Sequence, residues 1–479
     1  MVSCKKSEIF IRAFTKAIQE QNAAVFCGAG LSRPSGFVDW RELLKPLAEE
    51  IGLDINRETD LVSVAQFYRN ESVTRTEINQ SIINVFNKKV AINENIKILT
   101  RLPINTYWTT NYDKLLEQGL EEANRKVDVK IDSDQLAVTV PEREAIVYKM
   151  HGDVEHPAQA VLTKDDYELY DIKRPLFRTA LKGDLVSKTF LFIGFSFEDP
   201  NLEHILSQMR SLLDENVRTH YCFFRRIQLK DYSDDTEEYC YNKAKQDLRE
   251  KDLRRYGIKT IFVDDYSEIT DILRKIEMSV RNNNIFISGS AEVFSKWDKE
   301  SAENFVFKLA SRLVKHNFKI TSGFGLGIGS SVINGALSEI YRSKHKQVNK
   351  YLFLRPFPQN ISDPEECKKL YSQYRENMIS GNGVAIFVFG NKKVIDLSED
   401  VINSEGCREE FEIAHKQDCL LIPIGSTGYM AKELLDEMKS SINDYPYLKN
   451  YLDVLENSMD VDTLINTILN IVENNRKSN

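Results

Sequence analysis

Long hydrophobic runs are missing from this sequence: no segment approaches the ~20 apolar residues that a membrane-spanning helix needs. Residues 1–6 are polar and lead into a mixed segment, so no secretory signal is recognisable there. Cysteine is sparse: the seven cysteines are scattered and none forms a C-x-x-C pair, which indicates neither a zinc knuckle nor a disulfide framework. We therefore expect a cytoplasmic protein with reduced thiols, without zinc and without a membrane contact.

An excess of positive charge is also missing. Lysine and arginine total 64 against 72 aspartates and glutamates, for a net charge of −8. Because phosphate backbones need a positive field, this balance argues against a nucleic-acid partner, although a local basic pocket for a small anion is still possible. With 42% hydrophobic and 28% charged residues, the composition is that of a soluble globular protein. A chain of 479 residues is too long for one ordinary core, so we expect two domains.

Short apolar segments rich in β-branched and aromatic residues alternate with longer amphipathic segments along the chain. Strands of this kind, separated by helical segments, are typical of parallel sheets covered by helices. The polar run 281–284 separates a helical segment, 266–280, from a new strand. We therefore expect one α/β domain over residues 1–283 and a second over residues 284–479. The predicted strands are 23–27, 106–109, 146–150, 189–193, 260–263, 285–288, 318–322, 350–354, 383–389 and 419–424.

The first predicted strand runs directly into a glycine-rich turn formed by Gly28, Ala29 and Gly30 and followed by Ser32. Glycine lets a backbone approach a pyrophosphate closely, and the start of the next helix offers unpaired N–H groups. Tight packing between a strand and a helix produces the same pattern without any ligand. The turn alone therefore leaves both interpretations open.

Four segments in a fixed order give this turn a context. The segment 28–41, GAGLSRPSGFVDWR, resembles the signature of the SIR2 (sirtuin) family. Three more segments follow in the order of that family: TTNYD at 109–113, KMHG at 149–152 and IGFS at 193–196. Four ordered matches are specific where a single match would not be. The resemblance implies that the amino-terminal half binds NAD.

The resemblance also implies a reaction, cleavage of the bond between nicotinamide and ribose. Breaking this bond builds positive charge on the ribose, and an enzyme gains rate by stabilising that charge in a dry, strained pocket. Asn111 would lie beside the ribose, Asp113 would orient the loop and the nicotinamide amide, and His151 would be the general base. The other residues that the resemblance assigns to NAD are Gly28, Ala29, Gly30, Ser32, Asp39, Gly194 and Ser196.

Structural roles are the alternative for these polar residues. Asn111 could cap a helix that begins at Tyr112, and Asp113 could do the same or add charge to the first turn of that helix. A histidine followed by glycine at the end of a strand, such as His151, is often structural. The ordered motifs favour the functional interpretation of Asn111 and His151.

The chain departs from the sirtuin deacylases in one module. Those enzymes carry two C-x-x-C pairs that bind zinc after the catalytic histidine, whereas only Cys222 and Cys240 lie between His151 and Asn284 here. That module helps to shape the acyl-lysine groove, and Thr110 replaces a usual glutamine. We therefore expect water as the acceptor, which gives ADP-ribose and nicotinamide. A protein deacylase and a non-catalytic nucleotide sensor are the alternatives.

The carboxyl-terminal half contains two further strand–glycine turns, IFISGSA at 285–291 and TSGFGLGIGS at 321–330. Alternating glycines before a helix can form an anion nest, or a hinge, or simply pack tightly. This half resembles the SLOG superfamily of nucleotide-ligand sensors and LOG-type enzymes. Where LOG-type hydrolases carry P-G-G-x-G-T-x-x-E, this chain reads SEGCREEFE at 404–412, which favours binding over catalysis.

Charged residues in this half could grip a phosphorylated ligand. Arg355, Arg375 and Lys392 could supply positive charge, and Glu410 could accept hydrogen bonds from a ribose or base. The alternatives are a solvated helix face for Arg375 and an exposed helix start for Glu410. The complete set that we expect at a signal ligand is Gly289, Ser290, Gly323, Gly325, Gly327, Arg355, Arg375, Lys392 and Glu410.

The two halves in this order resemble the effector family of the bacterial Thoeris anti-phage system. That resemblance implies a fold of two Rossmann-like α/β domains, each a mostly parallel sheet covered by helices. It also implies a partner protein with a TIR domain that makes a cyclic ADP-ribose isomer. The SLOG-like half would bind this signal, the SIR2-like half would then deplete NAD, and the chain would act as a homo-oligomer.

Overall fold

Two units, Met1–Glu277 and Met278–Asn479, make up the chain in the computed structural model. The structure describes residues 2–72, 74–197, 199–213, 217–358, 363–393 and 401–478. The division between the units falls inside a helix, Ser267–Arg281, and the second unit's first strand begins at Asn284. The domain limits at 283 and 284 stay a prediction.

The first unit alternates strands and helices. Its strands are β1 (Ala23–Cys27), β2 (Thr106–Thr109), β3 (Val127–Lys130), β4 (Ala145–Lys149), β5 (Thr189–Ile193), β6 (His220–Arg225) and β7 (Ile258–Val263). Its helices are α1 (Val2–Gln19), α2 (Ala29–Ser32), α3 (Trp40–Glu50), α4 (Leu61–Ser72), α5 (Thr76–Phe86), α6 (Glu94–Arg101), α7 (Leu115–Glu122), α8 (Lys164–Glu168), α9 (Tyr170–Lys173), α10 (Pro175–Ser187), α11 (Pro200–Leu213), α12 (Thr236–Arg255) and α13 (Ser267–Arg281).

These strands form one sheet in the order β3-β4-β2-β1-β5-β6-β7, and every neighbouring pair is parallel. All five residues of β1 are buried, as expected of a central strand with helices on both faces. On one face, the rings of Phe26, Phe190 and Phe192 stack on each other. Each such ring contributes about 1.5–3 kcal/mol through burial. This packing fixes the strand ends from which the functional loops start.

The second unit repeats the plan with fewer strands. Its strands are β8 (Asn284–Ser290), β9 (Lys319–Ser322), β10 (Leu352–Leu354), β11 (Val384–Phe389), β12 (Asn391–Lys393), β13 (Val401–Asn403) and β14 (Leu420–Pro423). Its helices are α14 (Lys299–Lys315), α15 (Gly329–Arg342), α16 (Val348–Tyr351), α17 (Pro364–Ile379), α18 (Glu405–Lys416), α19 (Tyr429–Ser440), α20 (Leu452–Asn457) and α21 (Val461–Ser478). Five strands form a parallel sheet in the order β10-β9-β8-β11-β14, while β12 and β13 pair antiparallel.

The expected fold class, two Rossmann-like α/β units with parallel sheets covered by helices, is confirmed. Strands β3 and β6 were not predicted from the sequence, and the predicted strand 350–354 begins too early, because 348–351 form a helical turn. Strand β3 was not predicted because its buried residues, Asp128 and Lys130, are charged. They form an ion pair of 2.7 Å with both side chains buried, which replaces the apolar residues that usually mark a strand.

No helix in the part of the chain that the structure describes is long and apolar enough to cross a membrane.

Candidate functional site

The four sequence motifs of the first unit meet at one edge of its sheet. Strands β4, β2, β1 and β5 are consecutive neighbours, and all are parallel. Gly28 therefore follows β1, Asn111 follows β2, His151 follows β4 and Gly194 follows β5 at the same carboxyl edge. The chain connects β1 to β2 on one side, while β5 pairs on the other side, and this reversal creates the crevice in which ligands bind in open α/β sheets.

Two glycine loops interlock at the floor of this crevice. A Cβ on Gly28 would lie 2.3 Å from the carbonyl oxygen of Gly194, and a Cβ on Gly194, where φ is +65°, would lie 2.1 Å from the nitrogen of Leu31. The N–H of Gly30 donates to the Gly194 carbonyl at 2.9 Å, and the N–H of Gly28 donates to that of Ile193 at 3.0 Å. Close packing therefore requires these glycines. The N–H groups of Gly28 and Gly30 are therefore used within the protein, and that of Gly30 is one of those at the start of the helix that we expected to be unpaired.

Asn111 faces the first glycine loop. Its Nδ2 donates to the Gly28 carbonyl at 3.1 Å and to Ser32 Oγ at 3.0 Å, and its backbone N–H donates to Thr109 Oγ1 at 2.9 Å. The alternative that Asn111 caps a helix at Tyr112 is wrong, because α7 begins only at Leu115. The predicted residues Asn111, Ser32 and Gly28 are thus brought together by direct contacts.

Asp113 is buried directly behind this loop. Its Oδ1 accepts a hydrogen bond from the N–H of Leu115 at 3.0 Å, so it does contribute to the start of α7. Its Oδ2 is buried with no hydrogen-bond partner among the described residues. Burial raises the pKa of the Asp113 carboxyl, and Lys149 opposes that rise. Oδ2 therefore keeps acceptor capacity within the protein, and the Ser32 side chain also opposes the rise in the pKa of Asp113.

Lys149 is the cation of a buried charge cluster that was not predicted from the sequence. Its Nζ is wholly buried and donates to the carbonyl of Asp113 at 2.6 Å, to Glu117 Oε1 at 3.0 Å and to Asp153 Oδ2. Burial works against the lysine charge, yet the carboxylates of Glu117 and Asp153 raise the pKa of Lys149 above its ordinary value. The ammonium ties the loop after β2 to the loop after β4.

His151 lies in a nearly closed aromatic pocket, with its side chain 1% exposed. Its ring centroid is 5.9 Å from that of Trp40 and 5.7 Å from that of Tyr167. Its Nε2 is 3.1 Å from Asp199 Oδ2, and Asp199 also accepts from the Tyr167 hydroxyl at 3.0 Å. Although burial works against the carboxylate, His151 lowers the pKa of Asp199 below its ordinary value.

Asp199 and Trp40 had signals in the sequence. Asp199 precedes Pro200 at the start of a helix, which is a typical cap pattern, and it follows the glycine loop after β5. Trp40 belongs to the first motif. Tyr167 had no signal, because its position depends on how α8 folds back over His151.

Three other predicted NAD-binding residues form no hydrogen bond to Asn111, Asp113 or His151 among the described residues. Asp39 caps α3, where it accepts from the N–H of Glu42 at 3.0 Å, and it lies 3.6 Å from Arg33. Ala29 begins α2, and Ser196 is exposed in the loop after β5. Their contacts with NAD stay a prediction. In the described ranges, no group of three or more His, Cys, Asp or Glu residues could hold a metal ion.

The glycines of the second unit also pack closely. A Cβ on Gly325 would lie 1.8 Å from the carbonyl oxygen of Gly289, and one on Gly327, where φ is +77°, would lie 1.9 Å from that of Ala291. A Cβ on Gly323 would lie 3.2 Å from the ring of Phe357. The loop after β9 is thus pressed against the loop after β8. Tight packing, one of the alternatives left open by the sequence, holds for Gly289, Gly325 and Gly327.

Arg375 and Glu410, on α17 and α18, are brought together beside these loops. Arg375 is 13% exposed, and its Nη1 donates to Glu409 Oε2 at 2.6 Å, while its Nε lies 3.6 Å from Glu410 Oε1. Ser288 Oγ donates to Glu410 Oε2 at 2.6 Å, and burial raises the pKa of the Glu410 carboxyl. The alternatives of a solvated face for Arg375 and an exposed helix start for Glu410 are therefore wrong.

The rest of the predicted ligand set lies on the same carboxyl edge. Ser290 ends β8, and its Oγ donates to the carbonyl of Asn391 at 3.0 Å. Lys392 is exposed on β12, and Arg355 is exposed after β10. The Arg375 guanidinium lies 5.0 Å from the ring centre of Phe357. Sequence reasoning missed Ser288, Phe357 and Glu409, which had no signal beyond their general position.

Both units are similar in sequence to known protein families. Residues 105–260 match the SIR2-like domain family, and residues 268–475 match the Sir2- and TIR-associating SLOG family. A protein of Bacillus cereus (strain MSX-D12) named NAD(+) hydrolase ThsA is 48% identical over 474 residues, which cover 97% of this chain and 98% of the relative. Proteins of the same name from Acinetobacter baumannii (strain 532279) and Enterococcus faecium are 45% and 44% identical, over 92% and 97% of this chain and 92% and 98% of the relatives.

Proposed function

The chain belongs to the NAD(+) hydrolase ThsA family, and from that premise we propose that Asn111 and His151 carry out its NAD cleavage under the control of a ligand bound by the second unit. The enzyme is a SIR2-type NAD+ glycohydrolase. The observation that supports the assignment of residues is the convergence of the loops after β1, β2, β4 and β5, which puts Asn111 and His151 at the same edge of the sheet.

In the proposed reaction, the bond between the nicotinamide nitrogen and the ribose C1′ breaks, and nicotinamide leaves with the bonding electrons. Water supplies the oxygen that bonds to C1′ and gives its proton to His151. The Asn111 amide, held by Gly28 and Ser32, stabilises the ribose or positions the water. The unpartnered Oδ2 of Asp113 accepts a hydrogen bond from the nicotinamide amide. The products are ADP-ribose and nicotinamide.

Water rather than acyl-lysine is the proposed acceptor. The chain lacks the paired C-x-x-C motifs that shape the acyl-lysine groove of deacylases. The resting site is also narrow, since Trp40 and Tyr167 pack against His151. Both observations favour a small nucleophile over a peptide.

For the second unit, we propose that a cyclic ADP-ribose isomer binds beside Arg375 and Glu410. A buried guanidinium can exchange its pairing with Glu409 for a bidentate contact with a phosphate. The family name of this unit associates it with TIR proteins, which supports a TIR-domain partner as the source of the signal. We also propose that the protein acts in the cytoplasm as a homo-oligomer and that it depletes NAD in Thoeris anti-phage defence.

The test is NAD consumption by the purified chain with and without cyclic ADP-ribose isomers, following nicotinamide and ADP-ribose by chromatography. We expect nicotinamide release that rises strongly with one isomer, and no release by Asn111→Ala or His151→Ala at any isomer concentration. His204→Ala is the matched control, because His204 is an exposed histidine on α11. Turnover retained by both site variants would overturn the assignment of the residues. Acyl-peptide turnover would instead support the deacylase.

A further inference from the structure

The Asp199 carboxylate is held on both of its oxygens. Oδ1 accepts a hydrogen bond from the N–H of Leu202 at 2.9 Å, which makes Asp199 the cap of α11. Oδ2 accepts from the Tyr167 hydroxyl at 3.0 Å and lies 3.1 Å from His151 Nε2. The side chain is 8% exposed. The carboxylate is therefore held in one position, with its second oxygen 3.1 Å from the imidazole Nε2.

A carboxylate in that position decides which nitrogen of the imidazole is basic. It favours the proton on Nε2, so that Nδ1 has the free lone pair. Both ring nitrogens of His151 are buried without an aligned hydrogen bond among the described residues, and Nε2 is the one that lies within 3.1 Å of a carboxylate oxygen, Asp199 Oδ2. When Nδ1 takes a proton, the resulting imidazolium lies beside a negative charge. Trp40 and Tyr167 pack on the ring and keep it from turning.

We propose that Asp199 is a positioning residue for NAD hydrolysis, holding the His151 imidazole by Nε2 so that Nδ1 receives the proton, and stabilising the imidazolium that forms. This inference rests on the proposed role of His151 as the general base. Asp199 itself touches neither NAD nor water in this scheme. Tyr167 supports it by fixing the carboxylate.

The titratable groups around His151 and Asp199 do not change their charge near neutral pH. Burial raises the pKa of Tyr112, Tyr167 and Tyr170, so these phenols stay protonated. Burial works against the Asp166 carboxylate, yet Arg75 lowers the pKa of Asp166, and the two side chains pair at 2.8 Å. Tyr112, Tyr167 and Tyr170 interact electrostatically with Asp199, and the charged groups that act on these phenols in turn are Arg75, Asp166, Asp171, Arg174 and Arg178. A pH-dependent change in turnover is therefore informative about His151 and Asp199.

The experiment compares Asp199→Asn with the unaltered full-length chain. Turnover is measured as kcat and KM for NAD over a range of pH, with whichever cyclic ADP-ribose isomer activates the unaltered chain most, or without one if none does. Because a well-placed base contributes about 10²- to 10⁴-fold, we expect kcat to fall by about 10²-fold with KM changed by less than about threefold. The acidic limb of kcat/KM moves to lower pH, since the imidazolium has lost its counter-charge. Asp199→Glu restores part of kcat.

Asp298→Asn is the matched control. Asp298 caps α14 in the second unit, where its Oδ1 accepts from the N–H of Ser301 at 2.9 Å, and among the described residues no histidine pairs with it. Asparagine is an equally good cap, so both substitutions keep their helices. We expect Asp298→Asn to leave kcat and its pH dependence unchanged.

The outcomes separate this inference from the proposed function. If His151→Ala is inactive while Asp199→Asn keeps the kcat and pH profile of the unaltered chain, Asp199 has no positioning role and the proposed base stands. If Asp199→Asn loses activity equally at every pH, together with thermal stability that Asp298→Asn retains, its role is structural and the inference fails. If His151→Ala still releases nicotinamide, the proposed base itself fails.

Discussion

Lys149 Nζ lies 3.0 Å from Glu117 Oε1 at a place that solvent scarcely reaches, with the two side chains 0% and 10% exposed. The same ammonium donates to the backbone carbonyl of Asp113, two residues after Asn111, and it stands two residues before His151. The pair therefore locks the two proposed catalytic loops to each other. A lysine that looks incidental in the sequence is the link between them.

Replacing this lysine with methionine should destabilise the first unit. Lys149→Met keeps most of the side-chain volume but leaves Glu117 and Asp153 buried without a cation. Breaking a buried ion pair on one side costs about 3–5 kcal/mol, so we expect a loss of that size in the free energy of unfolding, measured by urea denaturation. Nicotinamide release should be lost as well, because the Asn111 loop is no longer held.

The control for this change is an exposed pair. Lys439→Met removes an ammonium that lies 2.7 Å from Glu456 but is 48% exposed. Surface pairs contribute roughly 0–1 kcal/mol, so the unfolding free energy should change by no more than that. Equal losses in the two variants would show that the buried cluster has no special weight.

Gly194→Ala tests the interlocked glycine loops. The added methyl group would lie 2.1 Å from the nitrogen of Leu31, so the loops after β1 and β5 must separate. Gly52→Ala is the matched control, because Gly52 also has a positive φ, +75°, yet a Cβ there meets nothing within 4 Å. We expect Gly52→Ala to cost only about 1–2 kcal/mol and to keep NAD turnover, whereas Gly194→Ala abolishes turnover. Normal turnover in Gly194→Ala would disprove the interlock.

His220 gives the first unit a pH-dependent stability. Burial, and then the charge of Arg218, lowers the pKa of His220 from 6.5 to about 3, and its Nδ1 accepts from the N–H of Phe190 at 3.2 Å. Between these two values, the unfolded chain binds a proton that the folded chain does not. The contribution of His220 to the free energy of unfolding is therefore fully present above the pKa that histidine has in the unfolded chain. It is lost as pH falls below that value, at about 1.4 kcal/mol per pH unit.

The measurement is the free energy of unfolding against pH for the unaltered chain and His220→Gln. Glutamine can still accept from the Phe190 N–H, but it does not titrate. We expect a shallower slope below about pH 6.5 in the variant. Identical slopes in the two proteins would assign the acid sensitivity to other groups.

Arg375→Ala tests the proposed signal site. If the guanidinium binds a phosphate, its loss removes a charged hydrogen bond worth about 1.5–3 kcal/mol, and the isomer concentration for half-maximal activation should rise by about 10- to 100-fold. Activity at zero signal should not change. Arg408→Ala serves as the control, because Arg408 pairs with Glu433 and Glu437 on the surface. An unchanged activation curve in Arg375→Ala would remove this residue from the signal site.

Most of the fold could be predicted from the sequence, because β1, β2 and β5 are short runs of apolar, aromatic and threonine residues next to motif residues. Strand β6 was missed although His220–Arg225 is rich in aromatic residues, since it begins with a histidine and ends with an arginine. The order of the strands could not be read, because adjacency in a sheet depends on how the helices cross it. Only the structure brings β1 between β2 and β5.

For the candidate site, the sequence indicated residues that belong to recognisable motifs, and it could not indicate their supports. Asn111 and His151 were given roles, whereas Lys149 was only part of the KMHG segment and Asp199 was not named, because a carboxylate or an ammonium gains its role only from what it touches in three dimensions. Arg375 and Glu410 were named from separate segments. Their placement next to each other depends on the packing of α17 against α18.

The interlocked glycine loops also limit where NAD can enter the crevice. The N–H groups of Gly28 and Gly30 donate hydrogen bonds to the carbonyls of Ile193 and Gly194, and a methyl group on Gly28 or Gly194 would collide with the facing loop. The two loops therefore form one continuous floor of the crevice. A dinucleotide cannot be admitted by parting that floor. We therefore expect entry on the side where Trp40 and Tyr167 cover His151, and opening that side requires the Tyr167 hydroxyl to leave Asp199.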